Sequence, residues 1–312
     1  MIGQAQHPLM EVRQLSLHFH QYGKGLQEMK AETITNFDMT LHRGEIVAVV
    51  GASGSGKSLL ANSILGILPK NAELGGKLYF DGEELTIEKQ IQLRGKEIFL
   101  IPQSVNALDP LMKAGKQVEV VIKSKDRKNI RRNIFKNLGL SPETADLYPF
   151  ELSGGMARRV LIAMAIASEA KLIIADEPTP GLDSEARNET LTLIKHLSDS
   201  GKGVLFITHD LDAAHSIADK VAVFYAGQTL EVADAKDFSG KGESLRHPYS
   251  RALWNALPQN EFLPASEVQR FSRQSPTGCV YGSRCPLSTE LCEQQQPHAR
   301  TVDGGSVRCF HA

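Results

Sequence analysis

A chain of 312 residues with 35 basic and 36 acidic side chains, net charge −1, can bury one large α/β core plus an appendage, and no global field draws it to nucleic acid or an anionic bilayer. Its apolar runs stop short of the roughly 18 residues that a spanning helix needs, since Val160–Ala175 is broken by Glu169 and Lys171. Residues Met1 to Met10 hold neither a basic nor an apolar stretch, so no secretory leader is expected, and four cysteines confined beyond residue 278 do not read as a secreted disulfide framework.

In chain order, Leu15, Leu17 and Phe19 recur at period two, which predicts a strand, and Gln21–Lys30 reads as a polar connection. Ile46–Val50 is continuously apolar, as a strand buried on both faces would be. It runs into Gly51-Ala-Ser-Gly-Ser-Gly-Lys-Ser58, followed by the helix-like Leu59–Leu65. Glycines at 51, 54 and 56 let the backbone turn its N–H groups inward around a polyphosphate, with Ser53 among them. Lys57 supplies a point charge for the outer phosphates, the Ser58 hydroxyl is a magnesium ligand, and the helix presents its positive end.

Gly75–Gly82 predicts a strand ending in an Asp81-Gly82 turn, and Glu97–Ile101 another, with Gln103 just past its end. From Val105 to Tyr148 the pattern is helical and charged, punctuated by Pro110, Gly139 and Pro142. Its basic residues, Lys123, Lys125, Arg127, Lys128, Arg131, Arg132 and Lys136, read as a solvated helix face, because no aromatic residues interleave to stack on bases. A helix over 153–168 opens at Ser153-Gly154-Gly155, and strands follow at Leu172–Ala175, Lys202–Thr208 and Lys220–Phe224. Strands alternating with helices predict a largely parallel sheet covered on both faces. Near Phe238–His247 that rhythm gives way to Gly and charge.

Asp176 and Glu177 end a buried strand, where ligands of open α/β sheets gather. Asp176 suits magnesium held through water, and Glu177 suits a base that orients and deprotonates an attacking water. His209 follows another strand and could donate to a phosphate oxygen; Gln103 could contact the water or the metal. Ser153-Gly154-Gly155 is a second anion-binding helix start. One chain cannot easily use both helix starts on one nucleotide, so two chains set head to tail are expected.

Gly51–Ser58, Gln103, Leu152–Met156, Asp176-Glu177, Gly181–Asp183 and His209 resemble, in this order, the Walker A, Q-loop, signature, Walker B, D-loop and switch histidine of ABC-type ATPases. The resemblance covers roughly residues 10 to 235. It implies a P-loop ABC core over 1–238: a mainly parallel sheet flanked by helices, an N-terminal antiparallel β part and a helical subdomain at about 105–168. It also implies ATP and Mg²⁺ as cofactors, with Ser58, Gln103 and Asp176 at the metal, Asp183 near the nucleotide, and Ser153, Gly154 and Gly155 on ATP in trans. Phe19 is the choice for the adenine stack, with Tyr22 in reserve. Met156 replaces the more usual Gln, and Pro180 departs from the usual D-loop.

Ala107–Met112 is similar to a segment by which importers of oligopeptides, dipeptides and nickel meet their membrane subunit, and His247–Leu253 resembles another segment of that branch. Residues 239–312 match its C-terminal extension, with Cys279, Cys285, Cys292 and Cys309 spaced C-x5-C-x6-C-x16-C. Four thiolates could hold zinc, an iron–sulfur cluster or nothing; the resemblance favours a [4Fe-4S] cluster, with His298 and His311 as spare ligands. It further implies an ATPase subunit powering a bacterial importer of peptides, nickel or metal chelates by dimer closure. Its partners would be a second ATPase subunit, identical or related, two transmembrane permeases and, through them, an extracytoplasmic solute-binding protein, with no nucleic acid. Its place would be the cytoplasmic membrane face. The alternative is a soluble ABC-type mechanical ATPase acting on DNA or ribosomes.

Overall fold

The computed structural model of the protein describes residues 7–22, 28–260 and 277–312. In chain order its elements are β1 (Met10–Tyr22), β2 (Glu28–Leu41), β3 (Ile46–Val50), α1 (Lys57–Leu65), β4 (Ala72–Phe80), β5 (Glu83–Glu84), α2 (Ile87–Leu93), β6 (Ile98–Ile101), α3 (Ala114–Val121), α4 (Arg127–Asn137), α5 (Gly154–Ala167), β7 (Leu172–Asp176), α6 (Ser184–Asp199), β8 (Gly203–Thr208), α7 (Leu211–Ile217), β9 (Lys220–Tyr225), β10 (Gln228–Asp234), α8 (Pro248–Asn255), α9 (Glu290–Gln294), β11 (Arg300–Val302) and β12 (Gly305–Val307). Two compact units share them: the first takes 1–40, 47–85 and 208–312, the second 41–46 and 86–207.

In the first unit an antiparallel sheet runs β2-β1-β4-β5. β1 pairs with β4 from Met10 opposite Phe80 to Phe19 opposite Ala72, with a bulge between Arg13 and Ser16. The expected Asp81-Gly82 turn is there, both residues at positive φ (53° and 83°), returning Phe80 to Glu83. A second group of strands has the order β11-β12-β10-β9-β3. Within it β9 lies parallel to β3, Val50 opposite Val223, and the other pairs are antiparallel. Every residue of β3 is buried, as its unbroken apolar run demands.

Strand β10 did not stand out in the sequence. Gln228, Thr229 and Glu231 are all buried in it, so its alternation is masked by polar side chains, of which Gln228 and Glu231 find partners elsewhere in the chain. Glu231, 1% exposed, accepts from the Arg246 and His247 backbone N–H groups and the Arg246 guanidinium. Through β10 and β12 the residues past 238 are stitched to the end of a sheet.

In the second unit β6, β7 and β8 pair in parallel, Ile98 opposite Leu172 and Leu172 opposite Gly203. The core is the apolar content of these strands, with Ile173, Ile174, Val204 and Phe206 fully buried. α3 and α4 occupy the stretch read as helical and charged, and α5 is the helix read over 153–168. Gly115 of α3 allows a close approach there: a Cβ on it would lie 2.7 Å from the Ala145 Cβ. No described helix is long and apolar enough to cross a membrane.

Candidate functional site

The loop Gly51–Gly56 carries β3 into α1, and neighbouring backbone crowds its first and last glycines. A Cβ on Gly51 would stand 2.2 Å from the Phe224 carbonyl oxygen, and Gly56 combines φ +101° with Thr33 at 3.2 Å. Gly56 is also the N-cap of α1, which sets the positive end of that helix at the loop. Lys57 is 4% exposed, and its ammonium donates to the Gly51 and Ala52 carbonyls at 2.8 and 2.9 Å. The cation is thus held inside the loop. Ser53, Gly54 and Ser58 are exposed on it. A glycine-bearing loop wrapped around a lysine at a helix start is chemistry for a polyphosphate, and the exposed Ser58 suits the magnesium that accompanies it.

In the second unit, β7 ends at Asp176, half-buried, and Glu177, 8% exposed. Glu177 adopts φ +43°, rare for a residue with a side chain, while its N–H donates to Ile207 at 2.8 Å. Such a conformation costs on the order of 1–3 kcal/mol and clusters at functional sites. The Gln103 side-chain amide, past the end of β6, donates to a Glu177 carboxylate oxygen at 3.2 Å. Gln103 and Glu177, far apart in sequence, are therefore brought together.

One residue the sequence reading missed explains why Gln103 is where it is. Arg158 of α5, 5% exposed, donates through its two terminal nitrogens to the carbonyls of Pro102 and Gln103, each at 2.8 Å. Burial lowers its pKa, and its Nε has no hydrogen-bond partner among the described residues. An arginine in an apolar helix carries no sequence signal for this task.

Ser153 caps α5, its hydroxyl accepting from the Met156 N–H at 3.2 Å. Gly154 and Gly155 follow without positive φ, and among the described residues nothing lies within 4 Å of a Cβ on either. Asp183 caps α6, accepting from Ala186 at 2.9 Å. His209 is exposed directly after β8, in the first unit. Phe19 is half-buried near the end of β1, which closes at Tyr22.

The four cysteines gather in one lobe. The Cys279 N–H donates to the Cys292 carbonyl at 2.7 Å; the Cys292 sulfur lies 3.4 Å from His311 Nε2, and the His311 N–H donates to the Cys309 sulfur at 3.3 Å. Burial pushes the Cys279 and Cys285 thiols up, against backbone hydrogen bonds from Tyr281 and Leu287, and the neighbouring cysteines push further. His298 is exposed. Among the described residues no group of three or more His, Cys, Asp or Glu side chains is arranged to hold a metal ion.

Residues 34–180 match the ABC transporter family, and residues 230–292 match the oligopeptide/dipeptide transporter C-terminal region. The chain is 34% identical to the dipeptide transport ATP-binding protein DppD of Haemophilus influenzae, over 96% of this chain and 94% of that one. It is 33% identical to the oligopeptide transport ATP-binding protein OppD of Salmonella typhimurium, over 97% and 93%. Among solved structures, an ATP-binding cassette captured as a dimer in a post-hydrolysis state with ADP and Pi superposes with TM-score 0.63 at 26% identity, over 72% of this chain and 98% of that one. The likeness runs through the phosphate loop and the cysteine lobe alike, and the chain belongs to the ABC transporter ATP-binding family, as an ATPase of the branch that carries the oligopeptide/dipeptide C-terminal region.

Proposed function

We propose that this chain is the ATPase subunit of a peptide importer and that each ATP is held between two such subunits. The observation that carries the two-chain site is the pair Gly154 and Gly155, whose lack of side chains answers to nothing within the described residues. A helix start kept bare and capped by Ser153 suits the close approach of a phosphate from another chain. In this reading the loop N–H groups and Lys57 hold the phosphates, while Ser58, Asp176 and Gln103 would hold Mg²⁺, whose charge would offset that of the transferred phosphoryl group. Glu177 takes the proton of the attacking water, Gln103 orients that carboxylate, His209 donates to a phosphate oxygen, and Asp183 completes the contact between subunits. Phe19 stacks on adenine.

The names of the relatives favour dipeptides or oligopeptides over nickel as cargo. The surface of the second unit supports permease partners: Leu111, 88% exposed, lies in the segment Ala107–Met112, and Phe150 is 76% exposed. Bare apolar side chains of this size would suit the surface of a partner subunit. Binding there would hold the chain at the cytoplasmic membrane face, 1–238 acting as the ATPase domain and 239–312 as the extension. The [4Fe-4S] reading of Cys279, Cys285, Cys292 and Cys309 rests on family resemblance and their shared lobe; iron and sulfide analysis of protein purified without oxygen tests it.

Glu177→Gln is the test of the hydrolytic role. Turnover falls by at least about a hundredfold while ATP binding persists and the closed dimer accumulates. Unchanged turnover would assign the base to another group. Recovery of the chain from gently solubilised membranes with ribosomes or nucleic acid, and never with permeases, would favour a soluble mechanical ATPase instead.

A further inference from the structure

The hairpin joining β9 to β10 reverses in two residues, Ala226 and Gly227, with Tyr225 opposite Gln228. Both turn residues have positive φ, +46° and +85°. That geometry follows the strand twist, but an alanine there costs roughly 1–2 kcal/mol and persists only where its surroundings over-determine it.

Those surroundings lie on two sides. Toward the phosphate loop, Phe224 presents the carbonyl that excludes any side chain from Gly51. Thr33 borders both Gly56 and Gly227, its carbonyl oxygen 3.2 and 2.7 Å from a Cβ placed on each, and the Thr35 N–H donates to the Gly227 carbonyl at 2.7 Å. Toward the cysteine lobe, the Arg284 guanidinium donates to the Tyr225 hydroxyl at 3.0 Å, and the Gln228 amide donates to the Gln296 side-chain oxygen at 3.1 Å. The Tyr225 ring packs against Tyr249 and Tyr281, centroids 4.6 and 5.7 Å apart. Tyr225 is 4% and Gln228 6% exposed, so these links are sheltered from water. Loop, hairpin and lobe all belong to the first unit.

We propose that Arg284 and Gln296 are positioning residues for ATP binding: the cysteine-bearing lobe clamps the β9–β10 hairpin, and the hairpin holds Gly51 and Gly56 in the conformation that meets the phosphates. A loop freed from this clamp spends part of its time in shapes that cannot bind. Apparent affinity then falls by the competent fraction, while chemistry on bound ATP is spared. Neither residue touches the nucleotide in this scheme. The inference rests on Gly51–Ser58 being the phosphate site.

The test uses the full chain and a fluorescent ATP analogue with Mg²⁺. Arg284→Met and Gln296→Met each weaken binding about threefold and the double variant about tenfold, raising KM more than they lower kcat. Arg284→Lys recovers part of the loss. Hydrogen exchange, read alongside, speeds up in peptides covering 51–57 and 224–228 and stays at the parent rate over 172–177. Unchanged affinity in the double variant, or exchange that rises uniformly along the chain as simple loosening would give, overturns the proposal. Lys57→Ala is measured in parallel: if it too binds the analogue like the parent, the phosphate-loop reading has failed rather than the clamp. Should Arg284→Met not fold, Arg284→Lys and Gln296→Met carry the same comparison through the two links separately.

Discussion

Two helix starts in this molecule are bare of side chains for opposite reasons. At Gly51–Gly56 the chain itself forbids them: a methyl group on Gly51 would collide with the Phe224 backbone, and Gly56 needs a left-handed φ. At Gly154-Gly155 nothing described in the chain forbids them. The first loop is shaped from inside, so it can be preorganised in a lone subunit. The second has no such demand among the described residues, and the proposed two-chain site would supply one from outside.

Substitutions can break or sharpen that contrast. The largest effect is expected from Gly51→Ala, which sets a Cβ against a backbone carbonyl that cannot swing away: about 3 kcal/mol of stability is lost, together with ATP binding, measured by denaturant melts and nucleotide titration. A variant that folds and binds normally would show the loop is not fixed by β9. Next comes Arg158→Met. Losing two charge-assisted hydrogen bonds to the Pro102 and Gln103 carbonyls costs about 2 kcal/mol, and turnover drops further than melting alone accounts for as Gln103 leaves Glu177. Normal turnover in the folded variant would deny the arginine that task. Smallest in stability, and most telling, is Gly154→Ala. With open space around it and an ordinary helical φ, the melt shifts by no more than about 0.5 kcal/mol, yet ATPase activity of the assembled complex falls about tenfold. Activity retained in full would mean that no ligand comes close to that helix start.

Much of the phosphate side was legible from residues alone, because Gly, Lys and Ser at fixed spacing after a buried strand declare a local conformation. The pairing of Gln103 with Glu177 could be guessed only from both lying at strand ends. Arg158 was invisible, since its partners are backbone carbonyls, which every residue has. So was β10, where Glu231 is buried because Arg246 and His247 meet it from a distant part of the chain. The two-chain site was inferred from there being one helix start too many and stays a proposal; what supports it is that nothing among the described residues lies within 4 Å of a Cβ on Gly154 or Gly155.

The most direct measurement is ATP turnover per chain as concentration falls, made on the isolated chain and on the assembly extracted from membranes. A site completed by a second subunit predicts a rate per chain that drops toward zero as dilution separates the subunits and returns when they are concentrated again. A rate per chain that stays constant across the dilution series would contradict it.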